Sequence, residues 1–446
     1  MKPFPGAASA LAAARTPARS KARACVIGGG GTGAALAYDL ALRGLSVVLV
    51  EKGELTSGTT GRHHGQLHCG ARYAMGDRAI ARECMEESLA LREMASEAVE
   101  YNGGIFVALD ERDAERAGEF VEACRAAGIP AREIPVSLAL ELESALSPRI
   151  LRAVWVPDGS FDAFRVPLSF FATARELGAE IRPWNEVLAL ERSGGRIVAA
   201  TVLDRSGPRP RETRIEADYF LSATGAWAGR VAELAGVDVP VTPAPGTMLA
   251  VEGRLTDRVI SRLRDPGDGD ILVPQRALSI IGSTQRLAID PEALRPPLED
   301  IAFLRDAAAE LVPAFAAAPF RAAWCAARPL AGPGLVGTAK REGGGGPNGP
   351  AHSPAHGPSA ARGTASTATA EDAGRALSRD FAILDHRTRD GLSGFCSLVG
   401  GKATVLRAMA EKAADLACAE LGVDEPCRTR DYVLPSWRRY YRRAGA

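Results

Sequence analysis

The chain has 446 residues, and its 54 Lys and Arg balance 54 Asp and Glu to a formal net charge of zero. That length supports two domains with substantial cores, and the balanced charge offers no basic footprint for a nucleic-acid partner. No apolar run approaches the roughly 18 residues needed to cross a bilayer. The eight cysteines are scattered, with no C-x-x-C pair, so no zinc knuckle or iron–sulfur ligand run is visible; no metal site is expected, and reduced core cysteines fit a cytoplasmic protein.

Residues 1–22 carry basic but no acidic side chains among Ala, Pro and Ser. They are expected to form a disordered tail, with an organelle-targeting peptide as the sharper alternative. Residues 24–27 then form a short apolar run suited to a buried strand. Gly28-Gly29-Gly30-Gly31-Thr32-Gly33 follows, an Ala/Leu-rich helical segment runs over 34–43, Gly44 ends it, and residues 46–50 give a second buried strand closed by Glu51 and Lys52. Strand, G-x-G-x-x-G, helix, strand and acid in this order form the dinucleotide-binding fingerprint. Gly28 permits the tight turn, Gly30 lets backbone approach a pyrophosphate, and Gly33 lets the helix pack on the sheet. The helix N-terminus, with Gly31 and Thr32, presents N–H groups to phosphate, and Glu51 can accept from a ribose diol.

The next segment separates FAD from NAD. Residues 56–65, with Ser57, Thr59, Thr60, Arg62, His64 and Gly65, are polar and glycine-rich, unlike the further strand and helix of an NAD half-domain. Such a loop has enough donors to wrap an extended FAD. Residues 58–73, GTTGRHHGQLHCGARY, resemble the flavin loop of the FAD-dependent glycerol-3-phosphate dehydrogenases, most closely the anaerobic-type large (A) subunit. The resemblance covers roughly residues 24–426.

Pattern partitions the rest of the chain. Helices are expected over 77–100, 111–128, 166–177, 298–311 and from Gly400 through Leu421. Strands are expected over 104–109, 153–156, 186–192, 196–204, 212–217, 219–223, 377–386 and 392–399, and 239–252 and 270–283 alternate in a way that suits antiparallel sheet. The fold class expected is α/β with an α+β cap. A discontinuous Rossmann-like FAD domain takes 23–75, 150–238 and 377–425, and an antiparallel-sheet substrate domain takes 76–149 and 239–336. Residues 337–376 lack any large apolar side chain and read as a flexible insertion; His352 and His356 within it make a poor metal site. Residues 426–446 are a basic, aromatic tail (WRRYYRR), a solvated end or, alternatively, a contact with an anionic membrane surface or a partner.

By resemblance, Ala223-Thr224-Gly225 approaches the cofactor from the far side, residues 281–284 match an I-G-T-T segment near the substrate, and Arg328-Pro329-Leu330 matches R-P-L. Gly400-Gly401 returns to the first sheet and meets the flavin. Oxidising a secondary alcohol on a flavin needs a hydride acceptor, a proton acceptor and a positioned substrate; a phosphate adds a need for cations. The resemblance assigns His68 as base or hydrogen-bond partner and Arg72, Arg328, Arg379 and Lys402 as substrate cations, with Arg62 and His64 serving the flavin. It implies oxidation of sn-glycerol 3-phosphate to dihydroxyacetone phosphate, hydride passing from C2 to flavin N5. The partners implied are a small phosphorylated polyol and a quinone or electron-transfer protein, at a cytoplasmic site with peripheral membrane contact. His63, Gln66, Cys69 and the Val405-Leu406-Arg407 run depart from the family pattern, the last removing a polar contact expected near flavin or substrate. The family's cysteine-rich C-terminal domain is not matched, which bears on the onward electron path. The alternatives are an FAD-dependent 2-hydroxy acid or amino acid oxidase and a flavoprotein subunit without catalytic activity.

Overall fold

The computed structural model describes residues 20–288, 290–292, 294–332 and 380–442. The expected insertion, with His352 and His356, Arg379, and nearly all of the N-terminal tail lie outside them.

The first strand, Arg23–Ile27, is buried from Ala24 onward and pairs in parallel with Ser46–Val50 on one side and Tyr219–Ser222 on the other. The sheet continues to Phe395–Gly400, also parallel, then to antiparallel Phe381–Asp385; Glu180–Arg182 closes the opposite edge. Strands buried on both faces need continuous apolar runs, which Ala24–Ile27 and Val47–Val50 supply. The Gly31–Leu42 helix is buried almost all round because it lies against the sheet, the Arg165–Glu176 helix and the Leu406–Leu421 helix. Ala34, Ala35 and Ala37 meet Ala410, Ala413 and Ala414 in one core, and small side chains let the helices approach closely.

The second large sheet has eight strands, in the order 320–331, 241–252, 278–282, 271–275, 259–262, 104–108, 152–156 and 132–134. All its neighbours are antiparallel except 259–262 with 104–108. The Leu298–Leu311 helix covers it, placing Leu304, Ala308 and Leu311 against Leu249, Leu272 and Ile281. The architecture is therefore mixed α/β, with a Rossmann-like sheet and a mainly antiparallel one.

Several expectations change in detail. The helix expected over 77–100 spans Arg78–Met94, and Val99–Glu100 is a strand. The stretch 270–283 is two strands, Ile271–Gln275 and Leu278–Gly282, and the strand expected to reach His386 ends at Asp385, with a short helix beginning at His386. The helix expected over 111–128 is two, Glu111–Glu115 and Ala117–Ala126, broken at Arg116. The helix expected from Gly400 begins at Leu406, after a single 3-10 turn, because Gly400 and Gly401 both have positive φ, 79° and 87°. Residues 437–441 of the basic tail are tethered to the body by ion pairs and hydrogen bonds, although Arg438 and Tyr441 stay exposed. Arg438 and Ser436 bond Glu97 (2.8 and 3.0 Å), Arg439 bonds Glu176 (3.0 Å), and Arg175 donates to the Tyr440 carbonyl (2.7 Å). Among the described residues no helix is long and apolar enough to cross a membrane.

Candidate active site

Ligands of open parallel sheets bind beyond the carboxyl ends of the strands. Four such ends converge here: Gly28 follows Ile27, Glu51 follows Val50, Ala223 follows Ser222, and Gly400 ends its own strand. Together with the second sheet they enclose a cavity of about 600 Å³, within the ordinary range for a ligand cleft.

The glycine turn shows why each glycine is there. Gly28 has φ 109°, and a Cβ on it would lie 2.6 Å from the Ala223 carbonyl oxygen. A Cβ on Gly33 would lie 2.0 Å from the Gly28 carbonyl oxygen, so Gly33 serves packing and does not line the cavity. Gly30 does line it, and a Cβ there would meet only Thr60 Oγ1, at 3.1 Å. The helix that follows has no N-cap side chain; Gly31 N–H donates to Thr60 Oγ1 at 2.9 Å, and the N-terminal end of the helix otherwise remains available to an anion. Glu51 accepts from Gly29 N–H (2.7 Å) and Gly53 N–H (2.9 Å), which aims a carboxylate with remaining lone pairs at the cavity. An open glycine cradle, an uncapped helix and a fixed acid fit a dinucleotide.

Thr32, Lys52, Ser57, Thr59, Thr60, Arg62, His64, Thr224, Gly225 and Gly401 also line the cavity, with Gly31, Ala223 and Gly400. Gly65 does not: it is a packing glycine, with φ 85° and a Cβ position 1.9 Å from Gln275 Nε2. Lys52 lies over the Trp227 ring at 4.1 Å and pairs with Glu292, which also accepts from Trp227 Nε1 (2.6 Å). Trp227 and Glu292 carry no motif, and sequence reasoning missed them.

The cavity also gathers His68 and Arg72 from the flavin loop, Arg328 from the Phe320–Ala331 strand and Lys402 from the turn after Phe395–Gly400, three separate segments. Lys402 Nζ stands over the Tyr73 ring at 4.9 Å, and Tyr73 meets His68 edge-on at 5.5 Å. Arg328 donates to Ser283 Oγ and to the Thr284 carbonyl (3.2 Å), which brings the expected R-P-L and I-G-x-T segments together. It fits there because residue 246, on the neighbouring strand, is glycine: a Cβ would lie 2.7 Å from Arg328 Nη2. Arg72 donates through Nη2 to buried Asp270 (2.6 Å) and to the Gly267 carbonyl (3.0 Å). Arg379 lies outside the described residues.

The departures from the family pattern have structural partners. Asp158 is buried; it accepts from Cys69 N–H (2.7 Å) and Gln66 Nε2 (2.9 Å) and so pins the segment on either side of His68. Burial pushes the Asp158 carboxyl above its ordinary range, against those hydrogen bonds. His63 accepts from Gly65 N–H (2.8 Å) and packs on Phe161. Arg407 is directed away from the cavity altogether, into a buried pair with Glu87 (2.9 and 2.7 Å), so it is not a surviving flavin or substrate contact.

Three histidines at the wall lie deep in the protein. Burial, helped by the charges of Lys402 and Arg72 and by His63, lowers His68 to about 3. Burial and then His63, Arg328, His68 and Arg72 lower His64 to about 3, and burial lowers His63 to about 4. All three are neutral near pH 7. Neutral His68, with Nδ1 buried and lacking a partner among the described residues, can accept a proton or a hydrogen bond.

Comparison with known proteins agrees with this geometry. Residues 23–353 match the family model described as FAD dependent oxidoreductase. The chain is 40% identical over 417 residues to the A1 subunit of the anaerobic glycerol-3-phosphate dehydrogenase of Haloferax volcanii, covering 92% of this chain and 66% of that one. It is 37% identical over 414 residues to the A subunit of the anaerobic glycerol-3-phosphate dehydrogenase of Escherichia coli K12, covering 92% and 69%. It thus spans about two-thirds of the length of these relatives. The fold matches glycerol-3-phosphate dehydrogenase from Bacillus halodurans, solved with FAD (TM-score 0.63, 20% identity, 95% of this chain and 69% of that one). It also matches glycine oxidase from Bacillus cereus (TM-score 0.64, 19% identity, 93% and 99%). The cofactor is FAD, and the chain belongs to the FAD dependent oxidoreductases and, among them, to the family of the anaerobic glycerol-3-phosphate dehydrogenase A subunits.

Proposed function

We propose that the chain oxidises sn-glycerol 3-phosphate to dihydroxyacetone phosphate and passes the electrons to a quinone or a partner protein; its relatives are named as subunits, which implies partners for them. The observation that carries this is the convergence of His68, Arg72, Arg328 and Lys402 on the cavity that the dinucleotide turn also lines. Bound FAD supplies the acceptor for the hydride leaving C2. Every other requirement falls to side chains. Arg328 and Lys402 hold the phosphate, a dianion that a carboxylate-binding site would not need so many cations to meet. Arg72 adds a directed N–H. His68 takes the hydroxyl proton. Its low affinity for protons in the empty site is due partly to Lys402 and Arg72, and a phosphate paired with those cations offsets them, raising His68 toward the range where a base is effective. A cytoplasmic location, with any membrane contact peripheral, belongs to the same proposal.

The test is a steady-state assay of the FAD-loaded protein with an artificial electron acceptor. Dihydroxyacetone phosphate should form from sn-glycerol 3-phosphate, with far lower turnover of glycerol, lactate or glycine. Equal turnover of lactate or glycine, or none of the phosphate ester, would overturn the proposal.

A further inference from the structure

The loop between the Val259–Arg262 and Ile271–Gln275 strands reaches the flavin loop through one side chain. Asp270 is fully buried. Its Oδ2 accepts from Arg72 Nη2 (2.6 Å) and from Gly267 N–H (2.7 Å), and its Oδ1 accepts from Arg264 Nε (2.7 Å). Arg72 Nη2 donates a second time, to the Gly267 carbonyl. The Arg72 side chain is 10% exposed and lines the cavity, yet its Nη1 is buried with no hydrogen-bond partner among the described residues. A guanidinium is a rigid plane, so holding one edge fixes the direction of the other. Buried donors are nearly always paired, and this unpaired one belongs to a side chain that lines the cavity.

We infer that Asp270 is a positioning residue for the substrate's anionic group: it clamps one nitrogen of Arg72 so that the other points at the ligand. Asp270 also pairs with Arg264, so the cluster of two guanidiniums and one carboxylate keeps a net positive charge, and Asp270 gives Arg72 direction without cancelling its attraction for an anion. Because Asp270 ends the loop that enters the Ile271–Gln275 strand and Arg72 lies on the flavin loop, the clamp also fixes these two parts of the site to one another. The inference rests on the glycerol 3-phosphate reading of the cavity.

The experiment measures KM, kcat and bound FAD for Asp270→Asn, Arg72→Lys, Arg72→Ala and the Arg72→Ala/Asp270→Asn double variant. Asp270→Asn should bind FAD as the parent does and change kcat little, while KM for glycerol 3-phosphate rises roughly tenfold or more, the usual cost of losing an aimed charge-assisted hydrogen bond. Arg72→Lys should raise KM similarly, since one ammonium cannot both hold Asp270 and reach the ligand. The double variant should be no worse than Arg72→Ala alone, because the two residues act through one group. An unchanged KM in Asp270→Asn, or effects that multiply in the double variant, would overturn the inference. If Asp270→Asn does not fold, Arg72→Lys decides: a KM near the parent's would overturn it. A parent protein inactive on glycerol 3-phosphate would instead sink the underlying reading, and this inference with it.

Discussion

Two buried arginines, Arg407 and Arg72, face opposite tasks. Arg407 is 1% exposed and satisfied throughout: Nε and Nη2 meet Glu87, Nη2 also meets Glu411 (2.7 Å), and Nη1 donates to Thr429 Oγ1 (3.0 Å). Arg72 spends one nitrogen twice on Asp270 and Gly267 and leaves another buried without a partner among the described residues, at the cavity. Both carry the charge of a buried group, which folding tolerates only with compensation. In the seam between the Arg78–Met94 and Leu406–Leu421 helices compensation is complete, so Arg407 can only hold the fold. At the cavity it is partial, and on the proposed reading the unspent capacity is held for the substrate.

That contrast can be broken by experiment. The largest effect should come from Glu87→Ala, which leaves Glu411 as the Arg407 guanidinium's only carboxylate partner; unfolding should show a loss of about 3–5 kcal/mol. Acid comes next. The folded-state values of His63, His64 and His68 lie at about 4, 3 and 3, below the ordinary 6.5. The unfolded chain therefore binds more protons than the folded one below 6.5, and stability falls as pH falls. The loss is on the order of 1 kcal/mol per histidine over the first pH unit below that value, readable as a declining melting temperature. Arg72→Ala, by contrast with Glu87→Ala, should cost only about 1 kcal/mol, because Asp270 keeps Arg264 and the Gly267 N–H, while KM for glycerol 3-phosphate rises steeply. The smallest effect belongs to Arg438→Ala. Its exposed pair with Glu97 should be worth less than about 1 kcal/mol in denaturant unfolding.

What is legible in the sequence follows the range of the interactions. The strand–turn–helix–strand unit and Gly28, Gly30 and Gly33 are read from spacing because their partners are near in the chain or are backbone. The Gly58–Tyr73 loop and Arg328 are reached through resemblance, and all but Gly65 of the loop's assigned residues lie on the cavity wall. Asp270 escapes such a reading, since it meets Arg72 across 198 positions, and so does Glu87, which meets Arg407 across 320. Gly246 gives no signal as an isolated glycine in a strand; only the register that sets Ala244 opposite Arg328 brings it near the guanidinium. Residues 437–441 mislead for the same reason: Arg438 and Arg439 look solvent-bound until Glu97 and Glu176 arrive from other helices and turns. Local pattern specifies elements, whereas the pairing of a buried charge is a property of the closed fold.

The central claim, that this cation-lined cavity presents a phosphorylated alcohol to FAD, is tested most directly by an anaerobic half-reaction. The FAD-loaded protein, free of oxygen and of any acceptor, is mixed with sn-glycerol 3-phosphate and its visible flavin band is followed. Bleaching of that band, absent with lactate or glycine and displaced to much higher substrate concentration in Arg72→Ala, is the predicted result. A flavin band that stays oxidised with glycerol 3-phosphate, or that bleaches as readily with lactate or glycine, would contradict the account.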